Sequence, residues 1–359
     1  SAINFENCLD IDLAVSIEPK DVKKILVKNN ITFYDYSDGH GTITLILDNY
    51  KIEITSLRID KISLGRKAIV EFTKDFFLDS CRRDFTINSI YSSFKGEIYD
   101  PHNGVEDLNK KKIRYIGIPE KRIIEDKLRI LRYFRFIAVY NSNEGQLDKE
   151  SLLASVSNAK LLKNVSKERI NKEFIKLISA SNAGFVLSLM KKYKILDIIA
   201  KGLEKISYLN LKKIDQIAFD EISRVSYLHL KSKIELKQDL KISRKNINLI
   251  EKICNKFIQI KEISEAKKIK YKCGEEVTKK IYFLYTAINE IKPKNSIIKI
   301  IKFWDPPVFP INGHDVKSFK SADGKRVGIF YKEIENWWIE RDFKPNRHQC
   351  LLKLKKINI

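Results

Sequence analysis

"CLDIDLA", residues 8–14, sets two aspartates one residue apart inside an apolar run. Apolar and polar positions alternate there with the period of a half-buried strand. Side chains at i and i+2 of a strand share a face, so Asp10 and Asp12 stand together while Leu9, Ile11 and Leu13 turn the other way. Two like charges on one face repel unless a cation or solvent takes them up. The stretch therefore fits either a wetted edge strand or a seat for hard divalent cations. Its surroundings have to decide between the two.

Downstream, "EPKDVKKILVKN" (18–29) has the spacing of an amphipathic helix, with Val22, Ile25 and Leu26 on one side and Pro19 near its start. "GTITLILD" (41–48) and "YKIEITSL" (50–57) are β-branched runs that meet at Asp48-Asn49, a hairpin signal. In the second run Lys51, Glu53 and Thr55 share one face, and Ile52 and Ile54 point to the core. Asp10, Asp12 and Glu53 on neighbouring strands can hold two divalent cations through oxygen, the arrangement phosphoryl transfer uses. "RIDKISLGRKA" (58–68), polar with one glycine, reads as a flexible loop. A helix is expected over about 83–91, then a short strand at "GEIYD" and a turn at "PHNGVEDL". The first 110 residues thus form a small mixed α/β domain. From about residue 119 the strand signals fade and helical periodicity takes over, without internal repeats. "FWDPPVFPINGHD" (303–315) marks a bend before a last helix, "VGIFYKEIENWWIERD".

The whole chain supports more than one core, with 359 residues and 43% hydrophobic content. No apolar run approaches the roughly 18 residues of a membrane span. Five scattered cysteines, none in C-x-x-C spacing, point to free thiols in a reducing cytoplasm and away from a zinc site. The chain opens Ser-Ala and its only methionine is Met190, so it reads as a fragment or a processed product. The first 150 residues carry no net charge; all of the +22 lies beyond them. Lysine-rich codon usage would have loaded both halves, whereas a polyanion lying along the C-terminal part explains the asymmetry.

Two further clusters carry chemistry. In "DSCRRDFTINSIY" (79–91), Arg82 and Arg83 suit phosphate oxygens through bidentate bonds. Asp84 can accept from ribose hydroxyls and Asn88 can add an amide contact; the competing reading is a helix cap with a surface ion pair. In "EDKLRILRYFRF" (125–136), Asp126 and Arg129 lie about 60° apart if both sit on one helix. A carboxylate that accepts from an exocyclic amine, beside a guanidinium that donates to a ring nitrogen or carbonyl, can read the pairing edge of a base. Cytosine and adenine offer an amine beside an acceptor nitrogen; uracil and guanine do not. An i,i+3 salt bridge is the other reading of that pair.

The order of these features resembles the bacterial-type (class II) CCA-adding tRNA nucleotidyltransferases and the related poly(A) polymerases. "LDIDLA", "HGTITL…YKIEITSLR", "LDSCRRDFTINSI", "YDPHNGVEDL" and "RIIEDKLRILRYFRF" carry the resemblance, as does the ending "VFPINGHDVKS…WWIERDFKPNRHQCLLKL". It spans nearly the whole chain. The resemblance implies an α+β fold: a small polymerase β-like nucleotidyltransferase head (1–111), then an elongated helical neck (112–183), body and tail (184–359). It implies that Asp10 and Asp12 bind Mg²⁺ in a two-metal site, with Mn²⁺ as the alternative, and that Glu53 joins them in the catalytic group. Arg82, Arg83, Asp84 and Asn88 match the motif that contacts phosphate and ribose. Asp126 and Arg129, supported by Arg132, match the residues that select CTP and ATP. Arg58 and Asp60 begin the stretch matching a flexible loop that helps switch from C to A addition. The neck, body and tail would hold the acceptor stem and elbow of tRNA.

Members of that family carry G-G-x-V-R-D ahead of D-x-D, where backbone N–H groups cradle the triphosphate. The nine residues before Asp10, "SAINFENCL", contain no glycine, so a head lacking that strand and cradle is expected. Three alternatives follow: a poly(A) polymerase, an enzyme adding only CC or only A, and an inactive truncated homologue that binds tRNA. The interval "NNITFYDYSDGHGTITL" lacks the G-R-R-F-type stretch of poly(A) polymerases, and residues 58–68 lack the shortening typical of CC-adders.

Overall fold

The computed structural model describes residues 10–35, 41–47, 50–64, 67–141, 143–199, 202–203, 220–232, 242–257, 260–320 and 324–356. "SAINFENCL" and the expected turn at Asp48-Asn49 lie outside them. The chain forms two compact units, Ser1–Ala200 and Lys201–Ile359.

In the first unit, strands β1 (Asp10–Val15), β2 (Thr42–Leu47) and β3 (Tyr50–Ser56) make a sheet in the order β1-β3-β2. β1 runs parallel to β3 and β2 antiparallel to it. Helix α1 (Pro19–Lys28) makes the crossover, opened by Pro19 and with Asp21 and Lys28 complementing its dipole. Its Val22 and Leu26, one turn apart, bury against Ile43 and Leu45, with Val15, Ile52 and Ile54 packed alongside. The opposite face of the sheet bears Asp12, which is exposed, and Glu53, which is half-buried.

The expected flexible loop is instead a hairpin. Strands β4 (Arg58–Leu64) and β5 (Lys67–Phe72) pair antiparallel from Arg58↔Phe72 to Leu64↔Lys67, with a bulge between Asp60 and Ile62. The partner run "KAIVEF" satisfies the peptide groups of a stretch whose side chains alone look loop-like.

The helix expected over 83–91 is also replaced. Helix α2 (Phe76–Cys81) precedes it, capped by Asp75, whose carboxylate accepts from the Phe77 N–H at 2.7 Å. A single 3-10 turn, Thr86–Asn88, follows, and strands β6 (Tyr91–Ser92) and β7 (Ile98–Tyr99) pair. Phe85 breaks the helix: it is fully buried, extended, bridged to Tyr115, and ringed by Tyr115, Tyr133 and Phe136. Burial of a large aromatic ring outweighs local helical preference. The expected turn at "PHNGVEDL" leads into helix α3 (Gly104–Asn109), which lies so close to the 3-10 turn that a Cβ on Gly104 would stand 2.2 Å from the Thr86 carbonyl oxygen.

The rest of this unit is helical: α4 (Pro119–Glu125), α5 (Arg129–Tyr140), α6 (Lys149–Ser157), α7 (Lys167–Ile178), α8 (Ala183–Lys192) and the short α9 (Leu196–Ile199). Ile130, Leu131, Phe134 and Ile137 of α5 are wholly buried, as are Phe174, Leu177 and Ile178 of α7 and Val186, Leu187 and Met190 of α8.

Among the described residues the second unit is all helical: α10 (Glu221–Ser232), α11 (Arg244–Asn255), α12 (Ile263–Cys273), α13 (Glu275–Ile288), α14 (Asn295–Phe303), α15 (Gly313–Lys320), α16 (Gly324–Glu340) and α17 (Arg347–Lys355). The expected last helix, α16, is thus preceded by α15 and followed by α17. Its Trp338, 2% exposed, sits among Phe309, Val316, Ile334, Cys350 and Leu354 and donates its indole N–H to the Pro345 carbonyl at 2.9 Å. Among the described residues no helix is long and apolar enough to cross a membrane, and Cys81, Cys254, Cys273 and Cys350 are free thiols.

Candidate active site

The parallel register of β1 and β3 sets Asp12 beside Glu53 and Asp10 beside Lys51. Residues paired this way share a face, so Asp12 and Glu53 form one acidic row. The Lys51 ammonium is ion-paired with Glu53. Carboxylate oxygens such as those of Asp12 and Glu53 are hard donors of the kind a divalent cation takes. Among the described residues no three His, Cys, Asp or Glu side chains converge in a metal-binding group.

The "RRD" stretch follows α2 at its C-terminal end and is organised by a residue that sequence reasoning passed over, Asp79. Asp79 lies three residues before Arg82 and four before Arg83, so a helical turn carries both guanidiniums back over its carboxylate. Oδ1 accepts from Arg82 Nε at 2.8 Å and the Arg58 N–H at 3.1 Å. Oδ2 accepts from Arg83 Nε at 3.2 Å and the Tyr91 hydroxyl at 2.7 Å. Burial pushes this carboxyl up, but Arg82, the Tyr91 hydroxyl and Arg83 together hold it below its ordinary value. Burial, opposed in part by Arg83, raises the Tyr91 hydroxyl and keeps it a donor. The Arg83 guanidinium also covers the Tyr91 ring, 4.9 Å from its centroid.

Asp84 and Asn88, expected with the arginines to contact phosphate and ribose, bond to each other, with Asp84 buried. Asp84 is 7% exposed and accepts from Asn88 Nδ2 at 2.8 Å, its neighbour's Phe85 N–H at 3.0 Å and Arg132 Nε at 2.6 Å. Burial again pushes the carboxyl up, and Arg132 and Asn88 more than compensate. Arg58 and Asp60 stand at the start of β4, where Arg58 Nε lies 3.6 Å from Asp60.

Asp126 and Arg129 do not share a helix. α4 ends at Glu125, Asp126 is extended (φ −143°, ψ 105°) and α5 begins at Arg129. The reason is local: the Asp126 carboxylate accepts from the Leu128 N–H at 3.2 Å and its carbonyl from the Arg129 N–H at 3.0 Å, a turn that competes with helix continuation. The corner still brings the two clusters together. Arg129 donates through Nη2 to the Arg82 carbonyl at 3.1 Å and through Nη1 to Glu125 at 2.7 Å. Arg122, 8% exposed, bonds Glu125 and the Arg83 carbonyl. Arg132 joins Asp84, and Glu173 of α7 meets Arg135 at 2.7 Å. Arg169, also from α7, places Nη2 at 2.9 and 3.1 Å from the two oxygens of Asp126. Asp79, Arg122, Arg169 and Glu173 are the residues sequence reasoning missed; only Asp79 carries a local signal, its spacing from the arginine pair.

Residues 3–114 match the poly A polymerase head domain, and residues 146–206 match the probable RNA and SrmB-binding site of polymerase A. The chain is 30% identical to the mitochondrial CCA tRNA nucleotidyltransferase 1 of Homo sapiens over 97% of its own length and 82% of that protein. It is 26% identical to the CCA-adding enzyme of Enterococcus faecalis, over 97% and 87% of the two chains. The crystal structure of the Bacillus stearothermophilus CCA-adding enzyme in complex with CTP superposes with a TM-score of 0.79, covering 96% and 87% at 24% identity. Identity of 30% to a CCA tRNA nucleotidyltransferase over nearly the whole chain, together with the poly A polymerase head domain at residues 3–114, places the chain in the family of the CCA-adding tRNA nucleotidyltransferases and poly(A) polymerases.

Proposed function

We propose that the chain adds CMP and AMP, taken from CTP and ATP, to the 3′ end of tRNA without a nucleic-acid template. The observation that carries this reading is the bonding of the arginine turn to the Glu-Asp corner. Arg129 donates to the Arg82 carbonyl at 3.1 Å and Arg132 to Asp84 at 2.6 Å, so phosphate-binding and base-reading groups lie within the span of one nucleotide. Arg82 and Arg83, held by Asp79, offer guanidinium edges to the triphosphate. Asp126 accepts from the exocyclic amine of cytosine or adenine, and Arg129 donates beside it. Arg132, Asp84 and Asn88 act through one another, keeping that corner in place.

The family works with divalent cations, and the D-x-D strand fits them. We assign Mg²⁺ to Asp10 and Asp12, in a two-ion site, with Mn²⁺ as the substitute and Glu53 as the neighbouring carboxylate. A cation bound there would acidify the RNA terminal hydroxyl and neutralise charge on pyrophosphate. The protein's own share is positioning: the hydroxyl attacks the α-phosphate in line, the P–O bond to pyrophosphate breaks, and no side-chain nucleophile takes part. Residues 1–111 are proposed as the head, 112–183 as the neck and 184–359 as the body and tail. The positive charge beyond residue 150 would meet the tRNA phosphates. Free thiols at Cys81, Cys254, Cys273 and Cys350 suit a reducing compartment, proposed as the cytoplasm.

The test is extension of three tRNAs, ending before CCA, after C and after CC, with each NTP and Mg²⁺, beside an Asp10→Ala/Asp12→Ala variant. Addition of CC and then A, lost in the variant, supports the reading. Long A tracts on any RNA would move the assignment to poly(A) polymerase. Binding of tRNA without extension would make the chain a binding homologue.

A further inference from the structure

The candidate base-reading carboxylate is not free to turn. Asp126 Oδ1 accepts from the Leu128 N–H at 3.2 Å and from Arg169 Nη2 at 3.1 Å, and Oδ2 accepts from the same Nη2 at 2.9 Å. An ionised carboxylate has about four lone-pair sites, two on each oxygen. Oδ1 is therefore filled, and Oδ2 keeps one acceptor site. Asp126 and Arg169 side chains are 20% and 21% exposed, so solvent does not dominate the pair.

α7 braces this corner twice. Arg169 reaches Asp126, and Glu173, one turn further along the same helix, meets Arg135 and, at 3.8 Å, Arg132 of α5. Arg132 in turn holds Asp84 of the arginine turn. The position of α7 is thus transmitted to both halves of the nucleotide site through charge-assisted bonds.

We infer that Arg169 is a positioning residue for nucleotide selection: it fills Asp126 Oδ1, leaves Oδ2 as the acceptor for the exocyclic amine of cytosine or adenine, and fixes that acceptor's direction. This rests on the proposed base-reading role of Asp126. A fixed acceptor rewards an amine and sets two acceptors face to face when uracil O4 or guanine O6 enters instead. A carboxylate released from Arg169 could rotate away from that clash, so discrimination would fall before turnover does.

The experiment compares the kcat/KM ratio for CTP over UTP on tRNA lacking its CCA end, using the full chain. Because the ratio is taken within one preparation, any unfolded fraction cancels. Arg169→Gln is expected to lower the ratio about tenfold, the weight of one charge-assisted bond, while kcat with CTP changes less. Arg169→Lys is expected to recover most of the ratio, since one ammonium can serve both oxygens as Nη2 does. Asp126→Ala is the reference and should lower the ratio at least as far. A parental ratio in Arg169→Gln, with Asp126→Ala still impaired, overturns the inference about Arg169 alone. A parental ratio in Asp126→Ala overturns the base-reading role itself, and the inference with it.

Discussion

Asp79→Asn is the substitution that most directly tests how the phosphate-binding turn is held. It keeps the shape of a side chain that is 1% exposed and removes only its charge and one acceptor oxygen. The amide oxygen can serve one of two donor sets, Arg82 with the Arg58 N–H, or Arg83 with the Tyr91 hydroxyl. The Tyr91 hydroxyl can rotate and accept from Nδ2, whereas the Arg58 N–H cannot, so Nδ2 is expected to face Arg83. Arg82 then keeps a neutral acceptor and Arg83 loses its charged anchor, retaining its bond to the Asn88 carbonyl and its place over the Tyr91 ring. Breaking one member of a buried charge cluster costs about 3–5 kcal/mol. Arg83 is 30% exposed and regains some hydration, which brings the expected loss to about 2–3 kcal/mol. For a unit of this size that is a fall in Tm of roughly 4–12 °C. The KM for CTP should rise about tenfold or more as the Arg83 guanidinium loses its aim, with a smaller change in kcat. Thermal unfolding and steady-state CMP incorporation measure both effects. An unchanged Tm together with an unchanged KM would refute the role of Asp79 as the hub of the turn.

Other substitutions test neighbouring parts of the argument. Gly104→Ala must displace α3 from the Thr86 carbonyl, since no backbone atom tolerates a Cβ at 2.2 Å; a loss of at least about 1–3 kcal/mol in urea unfolding is expected, with a raised KM because Thr86 lies between Asp84 and Asn88. Asp79, Asp84 and Asp148 are held below the ordinary carboxylate range in the folded chain, so their stabilisation is complete above about pH 4 and is lost as pH falls through the lowered folded values. Urea midpoints measured from pH 5 to pH 2 should fall with acid, and Asp84→Asn should flatten that slope. Trp338→Ala removes the centre of the tail cluster and should destabilise the second unit by about 3–5 kcal/mol; calorimetry should show one transition lowered, while CTP binding to the first unit persists.

Sequence and tertiary structure contributed different kinds of information. Period-two alternation in "DIDLA" and "YKIEITS" and the i,i+4 pair Val22 and Leu26 are local signals, because a strand or helix must bury one face whatever lies beyond it. They sufficed to place the acidic row and the mixed head, and the charge asymmetry pointed to a polyanion. Element types failed where burial or pairing at a distance overrode local preference, as with Phe85 in its aromatic cage and the "RIDKISL" strand completed by "KAIVEF". The identity of ion-pair partners was least legible. Asp84 and Arg132 are 48 residues apart, and Asp126 and Arg169 43. Each carboxylate in a chain with 68 Lys and Arg has many possible partners, and a Coulomb attraction does not choose among them by residue type. By itself the sequence determined which chemical groups this protein possesses and which short elements carry them. Only the tertiary structure decided which guanidinium holds which carboxylate, because that choice depends on distances set by the packing of α5 against α7 and of the arginine turn against α5.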